Sequence, residues 1–126
     1  MKLFFSFSIF LLSLPAFAGN WLNVQTDHAG FPYSQGDKAE FQIQALSYPT
    51  SAQYRLKVTI EFLGVAAPVE ILLQNGWGRY LSPSLAIGNP AFKIVTHIIS
   101  IPPAASYDQV VEQTTIPLPV VLGGGS

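Results

Sequence analysis

Between Tyr54 and Phe62 the chain alternates without a break: Tyr54, Leu56, Val58, Ile60 and Phe62 are apolar, and Arg55, Lys57, Thr59 and Glu61 between them are polar. Successive side chains of a strand point to opposite faces, so a period of two collects the apolar groups on one face and the polar groups on the other. A segment with one dry side and one wet side belongs in a sheet that covers a core. Phe41, Ile43 and Ala45, alternating with Glu40, Gln42 and Gln44, repeat the pattern. Residues 69–73 and 92–101 are richer in β-branched side chains and alternate less cleanly, which predicts strands covered on more of their surface and placed more centrally. Further strands are expected at 21–25, 79–81, 109–112 and 116–122. The last contains Pro117 and Pro119, which donate no ladder hydrogen bond, so it is expected at an edge or running irregularly beside one.

Turn chemistry separates these runs at short intervals, at Gly36-Asp37, Tyr48-Pro49, Gly64 with Pro68, Asn75-Gly76, Gly88-Asn89-Pro90 and Pro102-Pro103. Such spacing predicts antiparallel strands joined by short loops. Pro and Gly interrupt most windows long enough for an amphipathic helix. The expectation is an all-β chain, an immunoglobulin-like antiparallel sandwich of about seven strands, with a small β-barrel as the alternative.

The order Gly36-Asp37-Lys38-Ala39-Glu40-Phe41-Gln42-Ile43, the strand 54–62, and Asn75-Gly76-Trp77-Gly78-Arg79-Tyr80 followed by Phe92-Lys93-Ile94-Val95 resembles bacterial extracytoplasmic immunoglobulin-like domains. The resemblance spans most of the chain after the leader and implies a fold and a location, not an activity. The cysteine pair of antibody-type domains is missing, since the chain has no cysteine at all.

The N-terminus reads as an export signal. Lys2 precedes an apolar and small stretch from Leu3 to Leu14, Pro15 ends that helix, and Ala16 and Ala18 supply the small side chains a signal peptidase accepts. Cleavage is expected after Ala18, giving a signal peptide 1–18, one domain 19–122 and a flexible Gly/Ser tail 123–126. A retained anchor would need roughly 20 apolar residues, more than this run provides, so no membrane anchor is expected after cleavage. The destination is the periplasm or the extracellular space, where a chain without disulfides relies on packing alone. After the leader the basic residues are only Lys38, Arg55, Lys57, Arg79 and Lys93, without a cluster, so a nucleic-acid partner lacks its electrostatic footprint.

No catalytic motif is complete. His28 beside Asp27, with Gly30, Pro32 and Ser34 nearby, is the third and weakest reading, a small hydrolase; His97 lies in the strand-like run Ile94-Ile99. No His pair is spaced for a metal, so neither metal nor cofactor is expected. Trp77, Arg79 and Tyr80, just past the Asn75-Gly76 turn, are the candidate binding residues, because Trp, Tyr and Arg dominate binding hot spots and aromatic faces stack on sugar rings. Trp21, with Leu22 and Val24, reads as an early core anchor. The expected function is an exported, non-catalytic protein-interaction or structural module with a protein partner in the envelope or extracellular space. The alternative is a carbohydrate-binding module that holds a glycan on Trp77, Arg79 and Tyr80.

Overall fold

The protein was analysed as a computed structural model, which describes residues 17–28, 31–49, 53–101 and 106–122. Most of the leader, Gly30, the Pro102-Pro103 turn and the Gly123–Ser126 tail lie outside the described residues. The described residues are all β, with no helix. The strands are β1 (Phe17–Ala18), β2 (Leu22–Thr26), β3 (Tyr33–Ser34), β4 (Lys38–Ala45) and β5 (Tyr54–Phe62). There follow β6 (Val69–Leu72), β7 (Trp77–Ser84), β8 (Ala91–Ser100), β9 (Asp108–Pro117) and β10 (Val120–Val121).

Two four-stranded antiparallel sheets result, ordered β1-β2-β4-β7 and β6-β5-β8-β9, with a short parallel pair β10-β3 beside them. Each four-stranded sheet keeps two open edges. The small-barrel alternative is therefore corrected: closure needs a continuous ladder, and here the chain turns corners between sheets. One such corner is the Asn75-Gly76 turn between β6 and β7. Asn75 (φ 53°) and Gly76 (φ 81°) both take positive φ, as a type I′ turn demands, and Gln74 and Trp77 exchange backbone hydrogen bonds of 2.9 Å across it.

The alternation at 54–62 is realised in the burial pattern of β5. Leu56, Val58, Ile60 and Phe62 of β5 are buried, as are Ala39, Phe41, Ile43 and Ala45 of β4. The two inner faces meet at Phe92 of β8, whose ring lies 4.9 Å from Phe41 of the opposite sheet and 4.3 Å from Phe62 of its own. Tyr80 of β7 closes the cluster edge-on, 5.5 Å from Phe41.

Three expectations need correction. Residues 69–73 are not central: β6 is an edge strand with only β5 beside it, and Val69 and Leu72 are exposed. β-branched side chains favour the strand without deciding how much of it is covered. The runs at 109–112 and 116–117 are one continuous strand, β9, and the chain after Pro117 turns away to pair with β3, so Leu118 and Val120 are buried in the protein's own core. Trp21 is half-buried at the rim; the core anchors there are Leu22 and Val24, both fully covered.

Candidate functional site: an aromatic cleft at one pole

Antiparallel pairing brings the ends of β4 and β8 to the same pole as the starts of β2, β5, β7 and β9: Leu22 pairs with Ala45, Gln44 with Trp77, Tyr54 with Ser100, and Ile99 with Asp108. Four aromatic residues far apart in sequence therefore meet there. Trp21 precedes β2, Tyr48 follows β4, Tyr54 opens β5 and Tyr107 precedes β9. They line a cavity of about 330 Å³ together with Pro49 and Ile98. Tyr48, Pro49 and Tyr54 also wall an adjoining cavity of about 400 Å³ that reaches Leu73 and the Asn75-Gly76 turn.

The cleft is held in shape by its backbone. The Leu46 amide donates to the Trp21 carbonyl at 2.8 Å, and the Ser47 hydroxyl donates to the Asn20 carbonyl at 2.7 Å. The Glu112 carboxylate, reaching across from β9, accepts the Asn20 amide at 2.9 Å and the Trp21 amide at 3.3 Å. Tyr54 and Tyr107 stand edge to face, 5.3 Å apart. The Tyr48 phenol lies so close to Gly76 that a Cβ there would collide with it, so the glycine that permits the turn also seats the ring. Tyr48 is 62% and Tyr107 42% exposed, so both offer apolar surface to a ligand.

The residues singled out from sequence lie elsewhere and not together. Trp77 (53% exposed) and Arg79 share the outer face of β7, where the Arg79 Nε donates to Glu40 at 2.7 Å. Tyr80 points the other way, 7% exposed and packed on Phe41 and Phe92, where burial raises its phenol pKa. Period two forbids neighbours on one strand from sharing a face. The signal for the actual cleft was present in part: each of its aromatics flanks a strand, but only the strand register shows that those ends coincide.

A polar constellation occupies the outer face of the second sheet. His97 lies 2.7 Å through Nδ1 from the Asp108 carboxylate and 3.3 Å through Nε2 from the Thr59 hydroxyl. The Lys57 ammonium bridges Asp108 at 3.3 Å and Glu70 at 3.4 Å. The hydrogen bond to His97, with help from Lys57, holds the Asp108 carboxyl below its ordinary pKa. This hydroxyl–imidazole–carboxylate chain lies on the central strands β5 and β8 and the edge strand β9, where the β8–β9 register shifts between Thr96 and His97.

Asp27 and His28 are engaged otherwise. Asp27 accepts the Tyr33 phenol at 2.7 Å, and the His28 ring stacks on Tyr33 at 3.8 Å while its Nδ1 lies 3.1 Å from the Pro32 carbonyl. The Ser34 backbone amide donates to the Asp37 carboxylate at 2.9 Å. The chain matches no protein-family model, no curated protein and no solved structure.

Proposed function

We propose that the protein is an exported, non-catalytic interaction module, built as an immunoglobulin-like sandwich, that grips a protein partner at its aromatic pole. The strand order supports the fold reading. With β2, β4, β5, β7, β8 and β9 taken as strands A, B, C, E, F and G, the sheets contain A-B-E and C-F-G. Of the remaining strands, β6 pairs with β5 and not with β7, which departs from the constant-type arrangement.

The cleft walled by Trp21, Tyr48, Tyr54 and Tyr107 carries the functional reading. Its edge-to-face tyrosines and its Pro49, Leu73 and Ile98 walls offer apolar pockets instead of one flat platform, which suits the side chains of a protein segment. Rigid aromatics pinned before binding lose little entropy when a partner arrives. The test is cross-linked capture from envelope extracts with the wild type, Tyr54→Ser, Tyr107→Ser and Trp77→Ala. Loss of a hot-spot aromatic weakens binding by about 30-fold or more, so the two tyrosine variants should lose a partner that Trp77→Ala keeps. Recovery of the bare monomer from wild type would sink the reading.

One observation favours a glycan as second reading: Trp77 stands exposed on the outer face of β7 with Gln44 directly across the ladder and Arg79 beyond it, an aromatic surface beside hydrogen-bonding side chains. A glycan array with wild type and Trp77→Ala decides this, and binding indifferent to the change removes it.

A further inference from the structure

The first sheet ends on β1, which consists of Phe17 and Ala18, the two residues immediately before the expected cleavage site. Phe17 pairs with Val24 and Ala18 with Asn23 in an antiparallel ladder. The Phe17 side chain is half-buried and packs against the core. Cutting the chain after Ala18 therefore takes away a strand together with part of the packing. What remains is β2 as a sheet edge with unpaired N–H and C=O groups, and an apolar gap where the Phe17 ring lay.

Two further details bear on that edge. Glu112 already accepts the amides of Asn20 and Trp21, and Gly19 lies so close to its carboxylate that a Cβ would collide with it. Cleavage thus creates the Gly19 ammonium beside an anion already in place, at the start of β2, where the Gly19 nitrogen donates to the Leu22 carbonyl at 2.9 Å and leaves Asn23 and Val24, the former partners of β1, uncovered. The second detail is Asn23, whose side-chain carbonyl oxygen is buried without a donor; its ladder partner, Ala18, has no side-chain donor to give.

We infer that removal of the leader opens the β2 edge as a docking site for an extended, antiparallel segment of a partner protein. That segment carries an apolar side chain in the place of Phe17 and a hydrogen-bond donor in the place of Ala18. An extended polypeptide is the occupant because the edge takes one, in that register, while the leader is attached. The inference rests on the export reading and stands apart from the aromatic cleft.

Intact mass of the exported protein comes first: a chain starting at Gly19 is expected, and retention of Phe17 and Ala18 overturns the inference while leaving the cleft reading untouched. The isotope-labelled mature chain is then titrated with a lysine-flanked peptide of residues 12–18, followed by amide chemical shifts. Saturable shifts at residues 22–26 are expected, and none in a chain that begins at Phe17 and covers its own edge. Phe17→Asp in the peptide should weaken binding by about tenfold or more, the worth of one buried aromatic. Ala18→Ser should strengthen it by about fivefold through a hydrogen bond to Asn23. Absent binding, shifts centred on Tyr48 and Tyr54, or indifference to Phe17→Asp overturns the assignment. A dimer of the mature chain cross-linked through β2 overturns it in favour of a second copy.

Discussion

Raising the pH above 10 should destabilise this protein through one phenol in particular. Tyr33, on β3, is 1% exposed, donates its hydroxyl to Asp27 at 2.7 Å and stacks on His28. Burial first, and then the hydrogen bond and negative charge of Asp27, push its pKa from 10.0 to about 12. The unfolded chain releases this proton near 10, whereas the folded chain holds it until about 12. The stabilisation is therefore complete below pH 10 and is lost as pH rises through the folded value. At 1.36 kcal/mol per unit, a shift of about two units corresponds to about 3 kcal/mol. The measurement is urea unfolding followed by circular dichroism at several pH values between 8 and 12, for wild type and Tyr33→Phe. The variant should be less stable by about 1.5–3 kcal/mol below pH 10, the usual worth of a hydrogen bond to a charged group. As pH approaches 12 the wild type should lose its whole advantage from this group, while the variant declines only with the remaining tyrosines. Parallel curves across the range would refute the argument, because they would mean that Tyr33 ionises alike in both states.

Gly76→Ala places a Cβ at φ 81° and into the Tyr48 phenol, so it should destabilise by roughly 1–2 kcal/mol in thermal or urea melts from backbone strain alone; it should also weaken partner capture by displacing Tyr48. Gly19→Ala should shift the Glu112 carboxylate off the Asn20 and Trp21 amides, lowering the melting temperature, and Glu112→Gln should reproduce part of the loss. Asp108, held below its ordinary pKa by His97 and Lys57, contributes stability that is present above the ordinary carboxylate value and lost as pH falls through its lower folded value. Asp108→Asn should therefore flatten the acid limb of the stability curve below the ordinary carboxylate range. Phe92→Ala, at the junction of both sheets, should cost about 3–5 kcal/mol in urea unfolding.

The strand at 54–62 and its partner around Phe41 to Ala45 were legible because local alternation already states which side chains share a face. The Asn75-Gly76 turn was legible for a similar reason: two consecutive positive-φ positions are a demand that a dipeptide can declare. Strand rank was legible in part: residues 92–101 are central as expected and the strand that ends at Pro117 is an edge, but residues 69–73 are not central. A β-branched run is equally at home at an edge or in the middle, and its neighbours are chosen by segments tens of residues away. Tyr80 faces the core for a reason that the sequence did contain, since it lies one residue from both the outward Arg79 and the outward Leu81.

The sequence by itself determined an all-β chain with one wet face per sheet and the location of tight turns such as Asn75-Gly76, all of them properties of neighbouring residues. Tertiary structure alone decided that Trp21, Tyr48, Tyr54 and Tyr107 form one cleft, that Thr59, His97 and Asp108 touch, and that Glu112 reaches Gly19. Each of these depends on the registers between strands and on how the two sheets face one another. Those are fixed by burial around Phe41, Tyr80 and Phe92, where contributions from the whole chain must fit a single core.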